Sequence, residues 1–178
     1  MTYFINLLTL SRIFLGGVIF LLLTRPEGYF LAFLLFFVAG ATDYFDGYLA
    51  RKYNLTSQIG EILDPIADKI LIVFVLFGLS VNLTSYFIAF MASLIITREI
   101  WVGALRDFNA RQGRSDATKV TFLAKIKTSI QLFTISIYLL GLTLNNMLLI
   151  LFGDMFLFLS LIITIYTGFI YTYNSLKN

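Results

Sequence analysis

The chain has 178 residues, 59% of them hydrophobic and 13% charged. Soluble domains run nearer about 45–50% apolar and about 25% charged, so this composition is that of an integral membrane protein. With no Cys and no His, the chain cannot use disulfides, thiolate zinc sites, cysteine nucleophiles or imidazole bases. The net charge of +3 is small, and the basic residues lie between apolar stretches, which argues against nucleic acid as a partner.

Six apolar stretches follow one another at 4–24, 29–50, 60–81, 86–106, 120–142 and 147–173. Each is near the roughly 20 residues that cross a bilayer as a helix. The expectation is an all-α, polytopic protein of six transmembrane helices forming a single catalytic domain over 1–178. Met1–Asn6 lacks the basic region and cleavage site of a signal peptide, so the first stretch is expected to stay as a membrane helix. Arg25-Pro26-Glu27-Gly28 reads as a turn. The connections 82–85 and 143–146 carry no charge, whereas Arg51 and Lys52, then Arg106, Arg111, Arg114 and Lys119, and finally Lys177 fall on one side under a six-span count. Cationic connections stay in the cytoplasm, so both termini are expected there. Residues 107–119 read as the one long polar linker, and Arg111, Arg114 and Lys119 as a surface facing lipid headgroups.

Against that apolar background, four aspartates stand at fixed spacings. Asp43 and Asp46 are three apart, and Asp64 and Asp68 are four apart. On helices, each pair projects from one face. Two such helices facing each other would gather four carboxylates, whose hard oxygens suit Mg²⁺, Mn²⁺ or Ca²⁺. Metal ions of this kind at a membrane surface handle phosphates. Gly47 and Gly60 permit a close approach by a ligand or a packed helix, and Ala50 keeps the same helix face open. Arg51 is either a partner for a pyrophosphate or, with Lys52, an anchor at the membrane face. Pro65 either kinks the third helix or opens its first turn.

The pattern Asp43-x2-Asp46-Gly47-x2-Ala50-Arg51-x8-Gly60-x3-Asp64-x3-Asp68 resembles the signature of the CDP-alcohol phosphotransferase family, and every fixed position is met. The resemblance implies six transmembrane helices, usually paired in a homodimer, with a site for two metal ions (Mg²⁺, with Mn²⁺ as a substitute) on the cytoplasmic side. It implies that Asp43, Asp46, Asp64 and Asp68 ligate metal and that Asp68 also serves as general base. Gly47, Ala50, Arg51 and Gly60 would line the site for the CDP-lipid along with Asp43, and Ser57 would join them. Asn6-Leu-Leu-Thr9-Leu-Ser-Arg12 is similar to the opening segment of many members, with Thr9 reaching toward the nucleotide. Arg12, inside an apolar run, either snorkels or forms a structural pair.

Two later segments, Thr97-Arg98-Glu99 through Arg106-Asp107 and Ala124-Lys125-Ile-Lys127-Thr128, resemble those of the family's bacterial phosphatidylglycerophosphate synthases. That branch usually has Ser where this chain has Gly103, and Gly where it has Ala124. The reaction implied joins CDP-diacylglycerol and glycerol 3-phosphate to give phosphatidylglycerophosphate and CMP. An acceptor that bears a phosphate needs cations, and Arg98, Arg106, Lys125 and Lys127 are the candidates. Arg98 could instead pair with Glu99 inside the membrane. Other acceptors, such as phosphatidylglycerol in a cardiolipin synthase, or inositol or serine, would keep the same chemistry. A divalent-cation transporter would instead place its acids at the bilayer midplane, on broken helices within inverted repeats. The aromatic residues Tyr166, Phe169, Tyr171 and Tyr173 are expected to face lipid or the interface.

Overall fold

The computed structural model describes residues 2–53, 58–118 and 122–177. Six α-helices account for nearly all of them: α1 (Thr2–Leu22), α2 (Tyr29–Tyr53), α3 (Gln58–Asn82), α4 (Tyr86–Arg111), α5 (Phe122–Thr143) and α6 (Met147–Lys177). Short 3-10 turns at Pro26–Gly28 and Ser115–Thr118 complete the description, and no strand occurs among the described residues. Each apolar stretch seen in the sequence is a helix, so the all-α reading holds. The boundaries shift by a few residues, most where polar residues continue a helix past its apolar core.

The largest such shift concerns 107–119. α4 continues through Arg111 before the chain turns at Gly113, where φ is +70°. Glycine reaches that left-handed region without the Cβ penalty other residues carry. The polar linker is therefore shorter than the sequence suggested. Pro65 lies inside α3 rather than at its first turn.

Packing closes the helices into a ring. α1 sits between α2 and α3, α3 continues to α4, α4 to α6, α6 to α5, and α5 returns to α2. α1 and α3 run side by side in the same direction: Gly16 meets Leu71, Phe20 meets Phe74, and Gly78 lies against Leu23 and Phe20. α4 and α6 are likewise parallel. The core formed inside the ring includes Ile19, Leu23, Leu71, Leu79, Ile88, Ile95, Leu139 and Leu157. Outside it, large apolar side chains such as Phe14, Phe30, Phe90, Phe133, Met155 and Phe169 are exposed. Such a surface suits hydrocarbon rather than water, and with every span helical the backbone polar groups are satisfied internally. α4, α5 and α6 are each long and apolar enough to cross a membrane. The protein is an integral membrane protein.

One polar contact stands apart from the others, on the loop side that joins α5 to α6. The Tyr138 hydroxyl donates to Asp154 Oδ1 at 2.5 Å. Its ring sits so close to Gly153 that a β-carbon there would lie 2.8 Å from ring atoms. Tyr138→Phe keeps the packing and strands the acid, so we expect a loss of about 1–3 kcal/mol in stability, with the helix content unchanged. Thermal unfolding in detergent, followed by circular dichroism, checks both halves of this expectation.

Candidate active site

Asp43 on α2 and Asp68 on α3 come together on one side chain that the sequence left open, Arg12 of α1. Arg12 Nη1 donates to Oδ1 of both aspartates. Arg12 is 0% exposed, whereas the Asp43 and Asp68 side chains are 50% and 45% exposed. Arg12 therefore does not snorkel; it forms the structural pair. The wedge position of α1 explains why: the helix that separates α2 from α3 is the one that carries the guanidinium. Thr9, one turn before, is fully buried and accepts from Arg12 Nη2 at 3.5 Å.

Both aspartates lie well inside their helices. Asp43 is ten residues from the end of α2 and Asp68 ten from the start of α3, or about 15 Å along the axis. Two carboxylates from facing helices that converge on a single positive group form a donor set that fits a hard divalent cation. Gly60, on α3, is buried. The side chains of Asp46, Gly47, Ala50, Arg51 and Asp64, and the whole of Ser57, lie outside the described residues. No group of three or more potential metal ligands forms among the described ones.

A second charged cluster forms where α3, α4, α5 and α6 face one another. Arg98 Nη1 donates to Glu99 Oε1 at 3.0 Å, and Lys127 Nζ donates to the same oxygen. Arg98 Nη2 also donates to Thr167 Oγ1 at 2.6 Å. Gly168 makes room for this arm: a β-carbon at that position would lie 3.1 Å from Arg98 Cγ. The guanidiniums of Arg98 and Arg106 stand 5.8 Å and 5.6 Å from the centre of the Tyr171 ring, within cation–π range. Lys69, which follows Asp68 in α3, is half-buried and close enough to Glu99 to interact with it electrostatically. The Lys125 side chain lies outside the described residues.

So Arg98 and Arg106, eight residues apart on α4, share a face, and Arg98 makes the pair with Glu99 that the sequence left as an alternative. Tyr171 corrects an expectation. Tyr166, Phe169 and Tyr173 are exposed, as lipid-facing residues should be, but Tyr171 is 1% exposed. It faces inward because it belongs to the stripe of Ser160, Thr164, Thr167, Gly168, Tyr171 and Ser175 on α6, every member of which is buried. Small and polar residues at helical spacing in an otherwise apolar helix mark a packing face, and that signal could have separated Tyr171 from its neighbours. Trp101 Nε1 donating to Thr172 at 2.9 Å and Asn109 Nδ2 donating to Ser175 at 2.7 Å extend the same seam.

A ring of membrane helices that brings a carboxylate pair and a basic cluster to adjoining positions on α3 is the frame of a membrane enzyme acting on phosphate esters. The chain belongs to the CDP-alcohol phosphatidyltransferase family, whose model matches residues 3–166. It is similar to the CDP-diacylglycerol–glycerol-3-phosphate 3-phosphatidyltransferase of Rickettsia bellii, with 41% identity over 169 residues covering 93% of this chain and 91% of that one. It is also similar to the Escherichia coli K12 enzyme of the same name, with 35% identity over 133 residues, covering 74% of this chain and 73% of the other.

Proposed function

We propose that this protein transfers the phosphatidyl group of CDP-diacylglycerol to glycerol 3-phosphate, giving phosphatidylglycerophosphate and CMP. The observation that carries the reading is the adjacency of two sites of opposite charge: Asp43 and Asp68 meet between α2 and α3, and the next residue along α3 leads into the basic cluster on α4 and α5. A base beside an anion-binding surface is what a phosphorylated alcohol needs from its enzyme. The names of the two relatives support the same substrates.

In this reading Asp68 accepts the proton of the acceptor hydroxyl as its oxygen attacks the β-phosphorus of the CDP-lipid. The new P–O bond forms as the bond to the bridging oxygen of the pyrophosphate breaks, and CMP leaves with that oxygen. Asp43, Asp46, Asp64 and Asp68 would hold two divalent cations, Mg²⁺ or Mn²⁺, which when bound neutralise charge on the pyrophosphate. Gly47, Ala50, Arg51, Ser57 and Gly60 would line the nucleotide side. Thr9 is assigned to support of the Arg12 guanidinium, since it is buried beneath it. Arg98, Arg106, Lys125 and Lys127 make up the basic surroundings of the acceptor.

We also infer that all six helices span the membrane. α2 and α3 have 25 residues each, enough for about 37 Å, and pack in one ring with the three apolar spans. The basic connections then put both termini and the active site on the cytoplasmic side of a bacterial inner membrane, with the enzyme as a homodimer. The helices that carry the acids are unbroken, unlike the discontinuous helices of transport sites.

An acceptor panel tests the reading: purified protein with CDP-diacylglycerol and Mg²⁺, followed by CMP release. Release with glycerol 3-phosphate, and not with phosphatidylglycerol, inositol or serine, is expected. Release with phosphatidylglycerol alone would make the protein a cardiolipin synthase instead.

A further inference from the structure

We propose that Lys69 is a binding residue for the acceptor's phosphate, acting with Arg106, and that Arg98 and Lys127 serve mainly to hold the scaffold around it. The proposal rests on the reading of the acceptor as glycerol 3-phosphate. It begins with where the charges are already spent. Glu99 accepts from both Arg98 and Lys127, and Arg98 is further fixed by Thr167. Neither Lys69 nor Arg106 meets a carboxylate among the described residues. Glu99 lies near enough to Lys69 to interact with it, but its carboxylate already accepts from Arg98 and Lys127, so Lys69 and Arg106 keep donors for a further anion.

The geometry supplies the place for that anion. Glu99, Gly103 and Arg106 stand at i, i+4 and i+7, so they form one stripe along α4. Among the described residues, Lys69 Nζ is the one atom outside the immediate backbone within 4 Å of where a β-carbon at Gly103 would sit, at 3.9 Å. Among the described residues nothing else fills the space in front of Gly103, with the Lys69 ammonium at its edge and Arg106 one turn further along α4. Tyr171 backs the Arg106 guanidinium at 5.6 Å, which limits its freedom before any ligand arrives. A phosphate held here lies beside the residue that follows Asp68. A small acceptor can then place its phosphate on Lys69 and its hydroxyl on Asp68. The ammonium is a compact donor suited to a tetrahedral anion, and Arg106 adds a planar one.

The test compares wild type, Lys69→Gln, Lys69→Arg and Lys127→Gln in detergent, with each substrate's KM measured while the other is saturating. A charge-assisted hydrogen bond is worth about 1.5–3 kcal/mol, so Lys69→Gln should raise the KM for glycerol 3-phosphate by about 10–150-fold. The KM for CDP-diacylglycerol should stay within about twofold, since nothing on the nucleotide side is touched. Lys69→Arg should recover most of the loss. Lys127→Gln should lower the unfolding temperature more than Lys69→Gln does, because it strips a partner from Glu99. Inorganic phosphate gives a readout apart from turnover: it should compete with glycerol 3-phosphate in wild type and weaken as a competitor in Lys69→Gln. If wild type uses glycerol 3-phosphate but Lys69→Gln keeps its KM and its phosphate inhibition, the proposal is overturned and the acceptor reading stands. Equal rises in both KM values would likewise overturn it. Failure of wild type to use glycerol 3-phosphate would overturn the acceptor reading and this proposal with it.

Discussion

Asp68→Asn is expected to lower turnover by at least about 10³-fold, within the range that a positioned general base contributes, while CDP-diacylglycerol still binds. The substitution is nearly isosteric and leaves an amide oxygen that can accept from Arg12 Nη1, so the junction of α1 and α3 should survive. What it removes is the negative charge and the capacity to take up a proton. The chain has no His or Cys to stand in. Asp43, which meets the same guanidinium, is held from a different helix, α2. The measurement is CMP release under saturating substrates, paired with binding of the CDP-lipid to the same preparation. Loss of turnover with binding kept supports Asp68 as the base. Turnover above about a tenth of wild type would move the base elsewhere, since a missing proton acceptor cannot leave so much.

The helices were legible in the sequence because the signal is local. An apolar run that ends at a Pro-Gly turn or an uncharged polar tetrad needs no knowledge of its neighbours, and α1 to α6 begin and end within a few residues of those runs. The aspartate spacing was legible for the same reason. What the sequence did not reveal depends on which helices touch. Successive helices would be guessed to pack in order, yet α1 lies between α2 and α3, and only that placement turns Arg12 from an isolated cation in an apolar run into the meeting point of Asp43 and Asp68. Likewise α6 runs parallel beside α4. Tyr171 looks like one more aromatic near a helix end until Arg98 and Arg106 are found on its ring. Lys69 stands outside the motif spacing and gave no signal of its own in the sequence. What draws notice to it is the approach of its Nζ to Gly103, a property of the α3–α4 contact.

Arg12→Gln should destabilise the protein most when divalent ions are absent, and the deficit should shrink as they are added. Arg12 is fully buried, and its guanidinium is where Asp43 and Asp68 converge. Without it two carboxylates face each other across the α2–α1–α3 junction with only a neutral amide between them. Removing one partner from a fully buried ion pair costs about 3–5 kcal/mol, but these acids are about half exposed, so a loss of about 1–3 kcal/mol is expected here. A divalent cation bound to the same acids would supply the missing charge. Its stabilisation grows as RT ln(1 + [L]/Kd), about 2.7 kcal/mol at a hundred times Kd. Unfolding temperatures of wild type and Arg12→Gln, measured from chelator through a Mg²⁺ or Mn²⁺ titration, should therefore converge. The variant should also respond at lower metal concentration, since no guanidinium competes for the oxygens. A gap that stays constant across the titration would mean that Arg12 and the metal ions do not share Asp43 and Asp68. Arg12→Lys sharpens the comparison: it restores the charge, but a single ammonium lacks the fork of the guanidinium, so it should recover only part of the stability in chelator.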